Sequence, residues 1–128
     1  MILKKILLVD DDKAINFLNR RTLQKNGVNC EVSEALDGLS ALEYIISNDC
    51  PDVILLDINM PVVDGFEFLK HYETRGRCCE HSKIFMVSSS VRNEDKANAL
   101  SNRLVSGYFD KPLSKSHIEH ILAMVNAA

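Results

Sequence analysis

The chain has no apolar run approaching the ~20 residues that a membrane span needs. It has no excess of basic residues either. The net charge of -3 argues against a nucleic-acid binder, because such proteins carry a basic patch and a high pI. There is no CxxC among the four cysteines at positions 30, 50, 78 and 79. Zinc-ribbon and thioredoxin-like chemistry are therefore not expected. The neighbours Cys78 and Cys79 rarely pair with each other, so the expectation is reduced thiols in a cytoplasmic protein. The opening Met1-Ile2-Leu3-Lys4-Lys5-Ile6 runs straight on to Asp10 with no small-residue cleavage site, so no signal peptide is expected. Linkers, repeats and low-complexity segments are missing as well. What remains is 128 residues with ordinary hydrophobic and charged content. That length fits one domain, residues 1–128, able to bury a core without staples.

Apolar runs alternate with helical patterns along the chain. Ile6 to Val9 is a continuous apolar run, as expected of a strand covered on both faces. Asp12 can cap a helix with apolar positions Ile15, Leu18 and Leu23, stopping near Asn26-Gly27. Val28, Cys30 and Val32 alternate with polar residues, which predicts a half-exposed strand near a sheet edge. Asp37-Gly38 opens a second helix with Leu39, Leu42, Ile45 and Ile46 on one side, and Val53 to Leu56 is a second buried strand. Gly65 to His71 begins a third helix, and Arg75-Gly76-Arg77 reads as polar loop. Ile84 to Val87 reads as a strand, and Asn93 to Arg103 as an exposed helix with Ala97, Leu100 and Leu104. Gly107-Tyr108-Phe109 reads as a short strand, and Ser114 caps a last helix with Ile118, Ile121, Leu122 and Val125. Five β–α units in a row require right-handed crossovers and a parallel sheet with helices on both faces. Ligands of such sheets bind beyond the carboxyl ends of the strands.

Polar clusters stand at four of those ends: Asp10-Asp11-Asp12, Asp57, Ser88-Ser89-Ser90 and Lys111-Pro112. A carboxylate ending a buried strand is unfavourable unless cations and donors meet it. Asp10, Asp11 and Asp57 together would raise one another's pKa unless a cation intervenes. Magnesium binds one or two carboxylates and keeps water or phosphate oxygens. Lys111 adds a point charge suited to a phosphate, and Ser88 adds a hydroxyl. Carboxylate nucleophile, hard metal, ammonium and hydroxyl are the parts that phosphoryl transfer to an aspartate requires. His71, His81, His117 and His120 are scattered and read as surface residues.

The segments LLVDDD (7–12), ILLDINMPVVDG (54–65), IFMVSS (84–89) and GYFDKP (107–112) resemble the receiver domain of bacterial response regulators, the family of the chemotaxis protein CheY. The resemblance covers essentially the whole chain. It implies a flavodoxin-like (βα)5 fold with strand order 2-1-3-4-5. It implies a phosphoacceptor of a two-component or phosphorelay system, not an enzyme acting on other substrates. By position, Asp57 resembles the phosphoacceptor, and Asp11 the acid that binds Mg²⁺ (or Mn²⁺) directly. Asp10 resembles the acid that reaches the metal through water, and Asn59 the residue whose backbone carbonyl faces it. Ser88 matches the switch hydroxyl, Lys111 the family's lysine, and Tyr108 the aromatic switch position. The spacings, 31 residues from Asp57 to Ser88 and 23 from Ser88 to Lys111, are close to the family's.

The implied partners are a histidine kinase or histidine phosphotransfer protein and a downstream protein. The downstream protein would read the face of the fourth helix, fifth strand and fifth helix, with this chain a monomer or weak dimer. No nucleic acid or membrane partner is implied, and the implied location is cytoplasmic. With no effector domain in 128 residues, output is expected through binding another protein. Some positions depart from the pattern. Ser89 stands where many members have Ala and, with the Asn59 side chain, bears on phosphate lifetime. Leu104-Val105 replaces a small Gly-Ala pair, and Asp12 reads as a helix cap. Two alternatives share these features. A haloacid-dehalogenase-type phosphatase would use Asp10 and Asp12, but Lys13-Ala14 do not follow its pattern. A phosphorylation-independent interaction module on the same fold would not need the complete acid, Ser and Lys set.

Overall fold

The protein, seen as a computed structural model, is described over residues 3–75, 78, 81–89 and 92–126. Five strands, β1 (Lys5–Val9), β2 (Glu31–Ala35), β3 (Val53–Leu56), β4 (Lys83–Ser88) and β5 (Val105–Asp110), form one parallel sheet in the order β2-β1-β3-β4-β5. The crossovers are α1 (Lys13–Lys25), α2 (Gly38–Ser47), α3 (Gly65–Arg75) and α4 (Asn93–Ser101), and α5 (Lys115–Asn126) closes the chain. The expected strand order is thus the observed one, with β2 at an edge. Cys79, Ser90 and the Gly76-Arg77 part of the expected loop lie outside the described residues.

Period-two alternation divides the core between the two sheet faces. Leu7, Val9, Ile54, Leu56, Ile84 and Met86 pack toward α2, α3 and α4, where Leu42, Ile45, Phe68 and Tyr72 meet them. Ile6, Leu8, Val53, Leu55, Phe85 and Val87 face the other way, toward Leu23 of α1 and Ile118, Ile121 and Val125 of α5.

Two helices, α1 and α2, present faces different from those expected. On α1 the buried residues are Asn16, Asn19 and Leu23, whereas Leu18 is 55% exposed and Phe17 beside it is exposed too. The physical reason is position. The first half of α1 lies over the polar edge of the sheet, where Asn16 Nδ2 donates to the Asp10 carbonyl at 3.1 Å. On α2 the inner residues are Gly38, Ala41, Leu42 and Ile45, and Leu39 and Ile46 face solvent. A close approach sets this orientation, since a Cβ on Gly38 would meet the Val63 carbonyl at 2.5 Å. Helix α4 is exposed as expected, Ala97 and Leu100 included; its inward residues are Asp95 and Ala99, and it ends at Ser101, so the buried Leu104 lies beyond it. The caps behave as expected. Asp12 Oδ1 accepts from the Ala14 N–H at 2.9 Å, and Asp37 Oδ1 from the Ser40 N–H at 2.7 Å.

The cysteines overturn the expectation of four reduced thiols. Cys50 and Cys78 form a disulfide across 28 residues, with Cα atoms 5.6 Å apart. The fold brings the approaches to β3 and β4 together at the amino-terminal edge of the sheet, a juxtaposition that spacing does not reveal. Three histidines are more than surface residues, and one of them, His120, meets the Phe109 ring edge-on at 5.6 Å. His81 Nε2 lies 2.8 Å from Asp52 Oδ1, and the His117 ring stacks on Phe109 at 4.4 Å.

Gly65 is fixed by a second close approach, because a Cβ there would sit 2.5 Å from the Asp57 carbonyl and 2.9 Å from Ile58 Cα. Gly27 instead has φ of +80° and open space around it. Gly65→Ala should therefore cost about 2 to 3 kcal/mol by forcing backbone apart, and Gly27→Ala only about 1 kcal/mol from its left-handed conformation. Urea unfolding of the two variants checks the ranking; equal losses would refute the steric assignment at Gly65.

Candidate functional site

The carboxyl ends of β1 and β3 are neighbours, and the ladder extends one step past them. The Asp57 N–H donates to the Val9 carbonyl at 2.9 Å, and the Asp10 N–H to the Ala35 carbonyl at 3.1 Å. This places Asp10 and Asp57 side by side, nearly buried, with Asp11 exposed at the rim. One carboxylate oxygen from each of Asp10, Asp11 and Asp57 lies within 4.8 Å of the others. Past β5, the Lys111 N–H donates to the Ser88 carbonyl at 2.9 Å, anchoring the lysine backbone to the end of β4. Its Nζ then reaches Asp10 Oδ2 at 2.6 Å and Asp57 Oδ1 at 3.5 Å. Asp10 Oδ1 accepts the Asp12 N–H at 2.9 Å, so both oxygens of Asp10 are partnered.

Two adjoining cavities hold the residues expected from sequence. The first, about 490 Å³, is lined by Asp10, Asp11, Asp57, Asn59, Ser89 and Lys111 among others. Ser88 and Tyr108 line the second, with Arg92 and Lys96, and Ser89 and Lys111 line both. Ser88 is fully buried and Tyr108 half-buried. Sequence reasoning missed Asn16 and Asn19. Asn19 lines the first cavity and Asn16 holds the Asp10 carbonyl. Their signal was a polar pair at i, i+3 interrupting an otherwise amphipathic helix.

The electrostatics follow from burial. Desolvation pushes the Asp57 carboxyl up to about 6, and the charges of Asp10 and Asp11 push the same way. The charge of Lys111 and the Asn59 backbone N–H oppose them without prevailing. Burial works against the Lys111 ammonium, but the hydrogen bond to Asp10 and the charge of Asp57 hold its pKa above the usual lysine range. Three carboxylates against one ammonium leave the pocket negative. That all-oxygen, anionic donor set fits a hard divalent cation such as Mg²⁺ and would not suit a thiolate-seeking metal.

A family model described as the response regulator receiver domain matches residues 6–123, and the chain belongs to that family. Among curated relatives, response regulator MprA of Mycobacterium ulcerans (strain Agy99) is 42% identical over 123 residues, 96% of this chain and 49% of that protein. Its namesake in Mycobacterium sp. (strain KMS) is 40% identical over the same extent. The chain spans about half the length of the curated relatives it matches. Among solved structures, a two component response regulator from Cytophaga hutchinsonii matches with a TM-score of 0.93 and 26% identity, over 100% of both chains. Chemotaxis protein CheY4 of Vibrio cholerae matches with a TM-score of 0.78 and 31% identity, over 96% of this chain and 98% of that one. No helix among the described residues is long and apolar enough to cross a membrane.

The raised Asp57 pKa has a stability consequence with a definite sign. Between about pH 4 and about pH 6 the native chain holds a proton on Asp57 that the unfolded chain has released. Stability contributed by this group therefore falls as pH rises through that window and is flat above it. In metal-free buffer at pH 7.5, Asp57→Asn should be more stable than the parent by up to about 3 kcal/mol. The difference should shrink toward zero at pH 4. Chemical denaturation across that range checks it, and an Asn variant less stable at pH 7.5 would reverse the reading.

Proposed function

We propose that residues 1–128 act as one phosphoacceptor receiver unit, with Asp57 taking a phosphoryl group from a phosphohistidine of a histidine kinase or phosphotransfer protein. The observation that supports this most directly is Lys111 Nζ set between Asp10 and Asp57 within a three-carboxylate cluster. Asp11, Asp57 and the Asn59 backbone carbonyl would hold Mg²⁺ or Mn²⁺, with Asp10 reaching it through water. The bound cation supplies positive charge that offsets the carboxylates and the incoming phosphoryl oxygens.

An Asp57 carboxylate oxygen attacks phosphorus in line. The P–O bond to Asp57 forms as the P–N bond to the donor histidine breaks, and the imidazole leaves with the electron pair and takes a proton. Lys111, already within 3.5 Å of Asp57, turns its ammonium onto a phosphoryl oxygen. Its charge is greatest help where negative charge spreads over the equatorial oxygens. Ser88 then offers its hydroxyl to the phosphoryl group, and Tyr108, which lines the same cavity, repositions. The change biases a two-state surface formed by α4, β5 and α5, which a downstream protein reads. Ser89 and the Asn59 side chain, both exposed on the first cavity, set how readily water reaches the acyl phosphate. On this reading the protein works in the cytoplasm as a monomer or weak dimer.

Intact mass after incubation with acetyl phosphate tests the assignment. The parent should gain one phosphoryl group only with Mg²⁺ or Mn²⁺ present, and Asp57→Asn should gain none. Lys111→Ala should lose at least about tenfold in labelling rate, equivalent to about 1.4 kcal/mol of transition-state stabilisation. Labelling without a divalent cation, or undiminished labelling of Asp57→Asn, would overturn it.

A further inference from the structure

At the edge of the sheet opposite Asp57, the Cys50–Cys78 disulfide joins the approach to β3 with the approach to β4. Its two sulfurs sit in different surroundings. Cys78 is 1% exposed and belongs to the core that contains Ile84 and Tyr72. Cys50 is partly exposed and opens onto a cavity lined by Lys4, Lys5, Asp49, Asp52 and His81. We infer that Cys50–Cys78 is a reversible dithiol–disulfide couple, opened by an external dithiol that attacks at Cys50.

Attack on a disulfide requires approach to one sulfur, and only Cys50 offers it. The attacker is a thiolate, and Lys4, Lys5 and His81 supply cationic or protonatable groups around its entry. Asp49 and Asp52 also line that cavity and pair with two of those groups, Asp49 with Lys5 at 3.7 Å and Asp52 with His81 at 2.8 Å, so among the described residues Lys4 is the cation at the entry that forms no ion pair. Cys30, which is not disulfide-bonded, is a poor internal attacker, because burial pushes its thiol pKa up.

The exchange balances in two steps. The first thiolate of the reductant bonds to the Cys50 sulfur, and the Cys78 sulfur leaves with the bonding pair and takes a proton. The second thiolate then attacks the mixed disulfide, releases Cys50 as a thiol and departs within the reductant's own disulfide. Two electrons and two protons pass from the dithiol to the pair. The same exchange run in reverse, with the external protein's or reagent's disulfide as the two-electron oxidant, closes the couple and restores a tether between the approaches to the two strands whose far ends carry Asp57 and Ser88. A bond whose Cys50 end is partly exposed and lines a surface cavity suits a switchable tether better than a permanent staple.

The test uses the full chain purified without reductant, denatured and alkylated with iodoacetamide. Two of the four cysteines should be blocked, with peptide mapping linking Cys50 to Cys78. Dithiothreitol added to the native protein should free both thiols without denaturant and lower Tm by about 4 °C or more. Diamide should restore the link and the Tm. Cys50→Ser should abolish both responses, and Cys79→Ser should leave both intact. Four alkylated cysteines before reduction, a link to Cys79, or a bond that opens only in denaturant would each overturn the proposal.

Discussion

The ion pair between Lys111 and Asp10, closed across 101 residues of sequence, is the constraint around which the carboxyl edge of the sheet is arranged. Two nearly buried carboxylates side by side repel each other and lose hydration, and either effect alone disfavours the folded state. One ammonium between them relieves part of that cost. The relief is unequal, because Lys111 is 2.6 Å from Asp10 and 3.5 Å from Asp57. Each carboxylate accepts one backbone N–H, Asp10 from Asp12 and Asp57 from Asn59, so the shorter lysine contact is what favours Asp10, while Asp57 holds the raised pKa. Breaking such a pair by removing one side leaves an uncompensated buried charge, which is why Asp10 and Lys111 are best viewed as a unit.

Strand order makes that unit reachable. Asp10 follows β1 and Lys111 follows β5, with β3 and β4 between them. The backbone of Lys111 is fixed to Ser88 by a hydrogen bond, so only the flexible stem must cross the remaining gap. That crossing puts Lys111 on the boundary of both cavities, the one holding the acids and the one holding Ser88 and Tyr108. A change in what Lys111 binds is felt directly in the second cavity, because the two share its side chain and Ser89.

The strands were legible because burial on both faces writes a continuous apolar run, and Ile6 to Val9, Val53 to Leu56 and Ile84 to Val87 are such runs. The acids and Ser88 were legible because polar residues directly after those runs have one place to go, and Lys111 because it follows the short strand β5. The inner faces of α1 and α2 were not. Hydrophobic periodicity names a stripe but not which side of it meets the sheet, and tertiary constraints decided the matter. On α1 the polar sheet edge selects Asn16 over Leu18. On α2 the backbone contact at Gly38 turns Leu39 and Ile46 outward. The disulfide was illegible for a related reason, since Cys50 and Cys78 meet only once β3 and β4 are paired.

Strand β3 carries a carboxylate beyond each of its ends, and the two show how the surroundings assign a role to the same functional group. Asp52, before the strand, is buried, which alone would raise its pKa. The N–H groups of Lys4 and Lys5 donate to its Oδ2 at 2.8 and 3.0 Å, and His81 meets its Oδ1. Together they hold it below the usual carboxylate range. Its charge is satisfied, and it ties the start of β1 to the start of β3. Asp57, after the strand, has one backbone N–H from Asn59 and a lysine that favours its neighbour, and its pKa rises to about 6. A satisfied carboxylate has little to gain from a new partner. One left short of donors in an anionic pocket gains most from a cation, so the fold places a satisfied acid at one end of β3 and, at the other, the undersatisfied acid to which we assign the phosphoryl group.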